Sequence, residues 1–169
     1  PARLLYKLEK FIYKKADNLI FTFPGGIDYV GRIGIDTSKV RYINNGVDLE
    51  EFNINKNRYV FNDKDLDDIN MFKIVFAGAI GKANAINRII DTAKILIHKN
   101  IKFFIFGDGP EKINLKKYVK DNNITNVIFK DKVEKKYIPS ILCKTDLNIF
   151  CLEHLPDLFK YGLSPNKMF

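Results

Sequence analysis

The sequence predicts an α/β protein built on a doubly wound parallel sheet, and three observations carry that reading. Residues 72–82, FKIVFAGAIGK, are apolar and β-branched at their centre (Ile74, Val75, Phe76) and are then broken by Gly78 and Gly81 before a helical pattern begins. A strand buried on both faces that passes through a glycine turn into a helix has this form. From there, strand-like and helix-like stretches alternate with short connections, which favours parallel strands joined by crossover helices. Finally, the turns at 78–82, 107–110, 131–133 and 153–167 each follow a strand of the expected sheet. In an open parallel sheet such turns share one rim, where ligands bind.

Taken in order, residues 2–15 place Leu4, Leu5, Leu8, Phe11 and Ile12 at helical spacing, with Lys7, Lys10, Lys14 and Lys15 largely on other faces. The expectation is an amphipathic surface helix packed on a sheet, with contact to an anionic membrane surface as the second reading. Residues 18–23 read as a strand ended by Pro24, Gly25 and Gly26, residues 27–33 as a short helix, and 40–43 as a second strand closing on Asn44, Asn45 and Gly46. Residues 47–57 follow neither period and read as a linker, and 62–70 as a helix capped by Asn62 or Asp63. After the strand at 72, the reading gives a helix over 86–98 burying Ile86, Ile89, Ile90, Ala93 and Leu96 or Ile97, then a strand over 102–106. A helix over 111–122, a strand over 127–129, a helix over 135–143 and a strand over 147–152 complete the alternation. Ser164 suits the N-cap of one more helix, and Pro165 its first position.

Residues 1–57 therefore read as the end of an earlier α/β domain plus a linker, and 58–169 as a nucleotide-binding domain truncated at its C-terminal end. The chain is expected to be a fragment of a two-domain protein.

Composition bounds the chemistry. The chain has 169 residues, 46% hydrophobic and 28% charged, an ordinary globular balance with room for one core and part of another. The net charge of +8 is spread over scattered lysines without a basic run interleaved with aromatics, which argues against nucleic acid and leaves an anionic small substrate or an acidic membrane. Cys143 and Cys151 lack metal or redox spacing, so a reduced, cytoplasmic setting is the expectation. No segment has the pattern of an export signal or a membrane span.

Several phosphate and metal motifs are absent. Gly81 and Lys82 are followed by Ala83 rather than Ser or Thr, with no glycine at the Walker spacing. The dinucleotide GxGxxG is missing, and Asp108 lies beyond the ~20-residue spacing of its ribose acid. Two histidines without HExxH give no zinc site, so no metal is expected. His98 reads as a helix-end residue, and His154, beside Glu153 and Asp157, as an exposed rim residue. What remains is a crevice with Lys82 on one loop and Ser164, Pro165, Asn166 and Lys167 opening a helix on another. Free helix N–H groups plus two ammonium groups suit a diphosphate, and stabilising a departing diphosphate would be electrostatic catalysis by Lys82 and Lys167.

Four stretches carry a resemblance: INNGVDLEEF at 43–52, FAGAIGKANAINRIIDTAKIL at 76–96, FFIFGDGPEKINLKKYV at 103–119 and YGLSPNKMF at 161–169. In this order they resemble the retaining glycosyltransferases of family 4, two-domain GT-B enzymes, especially those of bacterial O-antigen and capsule assembly. The resemblance implies a Rossmann-like donor domain that transfers a sugar, with retention, from a nucleotide diphosphate donor, usually UDP-linked, to a lipid-linked or saccharide acceptor, without a required metal or other cofactor. Gly78, Gly81 and Lys82 would face the diphosphate, with Ala79 where the family commonly carries arginine. Gly107, Asp108, Gly109, Lys132 and Val133 would border the base and ribose. Leu163, Ser164, Pro165, Asn166 and Lys167 would cradle the phosphates. Gly162 stands where the family usually has the first of two glutamates, and the fragment by itself is expected to be inactive. Two rivals remain: a GT-B sugar-nucleotide epimerase, and a non-catalytic α/β module that sits on a membrane through residues 2–15.

Overall fold

The computed structural model describes residues 2–164, with the side chain of Leu158 excepted. The chain divides into two compact units, one formed by Asp48–Glu153 and the other by residues up to Val47 together with 154–164. The division therefore starts the larger unit ahead of the boundary expected at residue 57. It also groups 154–164 with the N-terminal elements.

The larger unit holds β3 (Phe72–Ala77), β4 (Ile101–Phe106), β5 (Val127–Lys130) and β6 (Leu147–Asn148), all parallel, in the order β5-β4-β3-β6. Connections run outward from β3 through β4 to β5, and the chain then returns to the other side of β3. This reversal is the topological switch point of an open parallel sheet. Alternate residues of each strand enter opposite cores. Ile74, Phe76, Phe103, Ile105 and Val127 meet Ile86, Ile89, Ile90 and Ala93 of α4 (Ile86–Ile95) on one face. Leu115 and Val119 of α5 (Lys112–Asp121) pack against the same core. Val75, Phe104 and Phe106 meet Ile141 of α6 (Ile138–Cys143) and Leu66 on the other face. Burial on both sides explains why the central strands read as unbroken apolar runs rather than as alternation.

Three expectations change. The supposed linker contains α3 (Leu49–Arg58), capped by Asp48, whose carboxylate accepts the Glu51 N–H at 2.9 Å. No residue of α3 is buried, so the helix has no apolar stripe for periodicity to detect; its signature is the cap and the acids of its first turn. Residues 62–70 form turns rather than a helix. Asp63 does cap one turn, accepting from the Asp65 and Leu66 N–H groups, but Lys73 Nζ takes the carbonyls of Leu66 and Asp68 that a longer helix would have used. The strand expected over 147–152 pairs as a ladder only at Leu147–Asn148, and Ile149 N–H adds one further bond to the Val75 carbonyl. The helix expected from Ser164 lies outside the described residues.

The smaller unit holds α1 (Ala2–Lys15), β1 (Leu19–Phe21), α2 (Gly26–Arg32), β2 (Val40–Tyr42) and α7 (Pro156–Phe159). Strands β1 and β2 are parallel, and Leu19, Phe21, Val30 and Ile35 form the core. Helix α1 is attached through Tyr13, packed edge-on against Phe21, and through Glu9, which accepts from the Tyr29 hydroxyl at 2.8 Å. Burial and the Glu9 carboxylate together push the Tyr29 phenol up to about 12. The apolar stripe expected to pack on the sheet is instead exposed.

Candidate functional site

The rim at the carboxyl end of β3 is built from two turns bonded to each other. The Gly78 N–H reaches the Phe106 carbonyl at 3.0 Å, Ile80 N–H the Asp108 carbonyl at 2.8 Å, and Glu111 N–H the Ile80 carbonyl at 3.1 Å. A Cβ at Gly107 would stand 1.8 Å from the Gly78 oxygen, and one at Gly109 would stand 2.3 Å from the Ile80 oxygen. Both residues have positive φ, +135° and +157°. Only glycine permits this approach. Asp108 is exposed and accepts the Gly109 N–H through Oδ1.

Lys112, buried at the start of α5, secures the same turn. Its ammonium donates to the Gly107 carbonyl at 2.8 Å, the Lys130 carbonyl at 3.2 Å and the Asp131 carboxylate at 3.0 Å. That bond holds the exposed Asp131 carboxyl below the usual range. The β4 and β5 ends are thereby tied together. Lys130 in turn grips the 62–70 turns through Asp63 at 2.7 Å and Asp65 at 2.8 Å. Burial pushes the Asp63 carboxyl up, but bonds from Lys130 and from the Leu66 and Asp65 N–H groups outweigh it and leave the group lowered.

Beside these turns opens a cleft of about 480 Å³ lined by Gly81, Lys82, Ile86, Asn87, Glu111, Leu115 and Glu153. It draws on the ends of β3 and β4 and on the segment after β6, and so lies at the switch point. The Glu153 N–H bonds the Ala83 carbonyl at 3.1 Å, fixing that segment on the Lys82–Asn84 turn, and Asn84 Nδ2 braces the Ala79 carbonyl at 2.9 Å. Ala85, which joins this turn to α4, is buried in the left-handed region at φ 43°. Among the described residues Lys82, Glu111 and Glu153 form no ion pair. The cleft thus presents one ammonium suited to an anionic oxygen and two carboxylates suited to hydroxyl donors.

The sequence-predicted residues separate into groups. Gly78, Ala79, Gly81 and Lys82 share the β3 turn, and Gly81 and Lys82 line the cleft. Gly107, Asp108 and Gly109 form the adjoining turn, where the glycines turn their Cβ positions toward the Gly78 and Ile80 backbone. Lys132 is exposed after β5, and Val133 packs against the core around Phe104 and Leu66. Leu163 and Ser164 belong to the smaller unit, and Pro165, Asn166 and Lys167 lie outside the described residues. Sequence reasoning missed Glu111 as a cleft residue and Lys112 as a tie. The only signal for Lys112 was its position just after the GDGP turn.

A cleft at the switch point of an open parallel sheet lies where α/β folds of this kind take their ligands. Residues 55–156, more than half of the chain, match the model of the family described as Glycosyl transferases group 1, and the chain belongs to that family. No curated protein sequence matches. Among solved structures, HepE from Anabaena in complex with UDP and glucose superposes with a TM-score of 0.65 at 15% identity, over 84% of this chain and 40% of that one. A mutant of TarM from S. aureus, in complex with Fondaparinux, alpha-GlcNAc-glycerol and UDP, gives 0.62 at 19% identity, over 85% and 27%. WaaG, a glycosyltransferase involved in lipopolysaccharide biosynthesis, gives 0.61 at 11% identity, over 80% and 38%. At such identities the likeness is one of fold, the GT-B glycosyltransferase fold. The chain spans 27% to 40% of the length of these proteins.

Proposed function

We propose that this protein is part of a retaining glycosyltransferase that moves a sugar from a UDP-linked donor to a lipid-linked or saccharide acceptor in surface polysaccharide synthesis, on the cytoplasmic side of the membrane. The observation that carries the reading is the cleft at the switch point with Gly81 and Lys82 on its wall; membership of the glycosyl transferase family and the UDP-bound fold relatives support it. In this reading Lys82 neutralises the departing diphosphate from the β3 turn, and Lys167 supplies a second positive charge to it. Two cations would stabilise the leaving group without a metal.

Calorimetric titration with UDP, GDP and their sugars tests the proposal. Saturable binding of UDP, weakened by Lys82→Ala, is the expected result, and no binding of any nucleotide would overturn it. Incubation with a UDP-sugar and no acceptor separates the epimerase reading, which predicts epimer formation.

A second reading, contact with an anionic membrane, is favoured by α1. Its apolar side chains Leu4, Leu5, Leu8, Phe11 and Ile12 are 52% to 71% exposed, with Arg3, Lys7, Lys10 and Lys14 along the flank of that arc. Sedimentation with anionic but not neutral liposomes is the expected behaviour, and equal recovery from both would remove this reading.

A further inference from the structure

The cleft beside the bonded turns carries two acidic side chains that the fold itself does not use. Glu111 is the N-cap residue of α5, yet its side chain caps nothing. Neither its carboxylate nor that of Glu153 has a hydrogen bond or ion pair among the described residues. Both residues are half-buried on the wall of the cavity of about 480 Å³. Their backbones are pinned to one stretch of chain: the Glu111 N–H donates to the Ile80 carbonyl at 3.1 Å, and the Glu153 N–H to the Ala83 carbonyl at 3.1 Å. Lys82, the cation of the same wall, lies between those two anchors in sequence. A carboxylate partly withdrawn from water gains from hydrogen-bond donors, and it supplies none itself.

These properties divide a sugar nucleotide between the walls of the cleft. Its diphosphate is anionic and rich in acceptor oxygens, so it is drawn to Lys82 and repelled by Glu111 and Glu153. Its sugar carries hydroxyls, donors that an unpaired carboxylate can accept. Ile86 and Leu115, on the same wall, offer apolar contact to the C–H face of a sugar ring. A sugar oxidised to a uronate would instead bring a third carboxylate into a cleft that already holds two against one ammonium. Like charges set face to face are a means by which a site rejects a wrong ligand.

We propose, on the nucleotide-sugar reading above, that Glu111 and Glu153 are specificity-determining residues that admit neutral donor sugars and exclude uronic acids. They face the sugar and leave the diphosphate to Lys82.

Calorimetric titration of the 169-residue chain with UDP, UDP-glucose and UDP-glucuronate, ligands that differ only beyond the β-phosphate, tests this assignment. The wild-type chain is expected to bind UDP-glucose at least as tightly as UDP, and UDP-glucuronate about 10-fold more weakly than UDP-glucose. Glu111→Gln and Glu153→Gln keep the shape and an acceptor oxygen but remove the charge. Each is expected to narrow the glucose-to-glucuronate ratio to about 3-fold or less, while UDP affinity changes by less than about 3-fold. Both substitutions leave the backbone bonds to Ile80 and Ala83 in place, and if one variant does not fold the other carries the test. A wild-type chain that binds none of the three ligands overturns the nucleotide reading, and this specificity with it. UDP binding without preference for UDP-glucose over UDP-glucuronate overturns the specificity alone. So does a preference that the glutamine variants leave intact, because an equal change in all three ligands reports a general defect or contact with the shared nucleotide.

Discussion

Helix α4 buries Ile86, Ile89, Ile90 and Ala93 against the sheet, whereas α1, with apolar residues spaced to the same period, leaves Leu4, Leu5, Leu8, Phe11 and Ile12 largely exposed. The two helices differ in what fixes them. Helix α4 is held by hydrophobic burial, while α1 is held by Tyr13, the Glu9–Tyr29 bond and Lys39, which donates to the Lys14 and Ala16 carbonyls. The lesson is that a periodic apolar stripe states which face wants covering, and the rest of the structure decides whether it is covered.

The sharpest test of that contrast substitutes equivalent positions. Ile90, fully buried, is expected to cost about 2–5 kcal/mol as Ile90→Ala, through lost burial and the cavity left behind. Leu8→Ala on the exposed stripe is expected to change stability by less than about 0.5 kcal/mol. Urea unfolding of both variants measures the gap, and similar losses would mean that the α1 stripe is covered in solution.

The next effect is in acid and base. Asp63, lowered in the fold by Lys130 and backbone donors despite its burial, contributes stability that is present above the unfolded carboxyl value and lost as pH falls through its lower folded value. Tyr29 behaves in the opposite sense. Its raised phenol favours the neutral form in the fold, so the α1 attachment is intact below pH ~10 and lost as pH rises through about 12. Acid is therefore expected to loosen the 62–70 turns first, and strong alkali to loosen α1 first. Hydrogen exchange across pH, with phenolate absorbance for Tyr29, separates the two.

The smallest effect is at the start of α4. Ala85 occupies a left-handed conformation that glycine adopts without penalty. Loss of its buried methyl and the greater freedom of an unfolded glycine offset part of the relief. Ala85→Gly is expected to stabilise by about 0.5 kcal/mol, visible as a small rise in Tm.

Local signals were enough to read the core of the larger unit. The apolar runs at 72–77 and 101–106 and the spacing of Ile86, Ile89, Ile90 and Ala93 report burial directly, because strand and helix periods are properties of the chain itself. Helix α3 was illegible to periodicity because it buries nothing, although Asp48 and Glu51 marked its cap. The 62–70 turns went astray because what ends them is Lys73, Lys130 and Lys144, side chains supplied from elsewhere in the fold. At the site, the glycine turns and Lys82 were visible, whereas the convergence of Glu111 and Glu153 on the cleft depends on strand order. The tie made by Lys112 depends on two turns meeting in space.

Three of the four glycines of the rim differ in how they could be altered. Gly107 and Gly109 are closed to any side chain by the backbone opposite them, yet a Cβ at Gly81 meets nothing within 4 Å, and Gly81 faces the cleft. Gly81 is therefore a free handle for protein engineering: a side chain grafted there would narrow the entrance while the two bonded turns behind it kept their shape. Graded substitutions at Gly81, from alanine to valine to phenylalanine, would turn the cleft into a sieve of adjustable mesh.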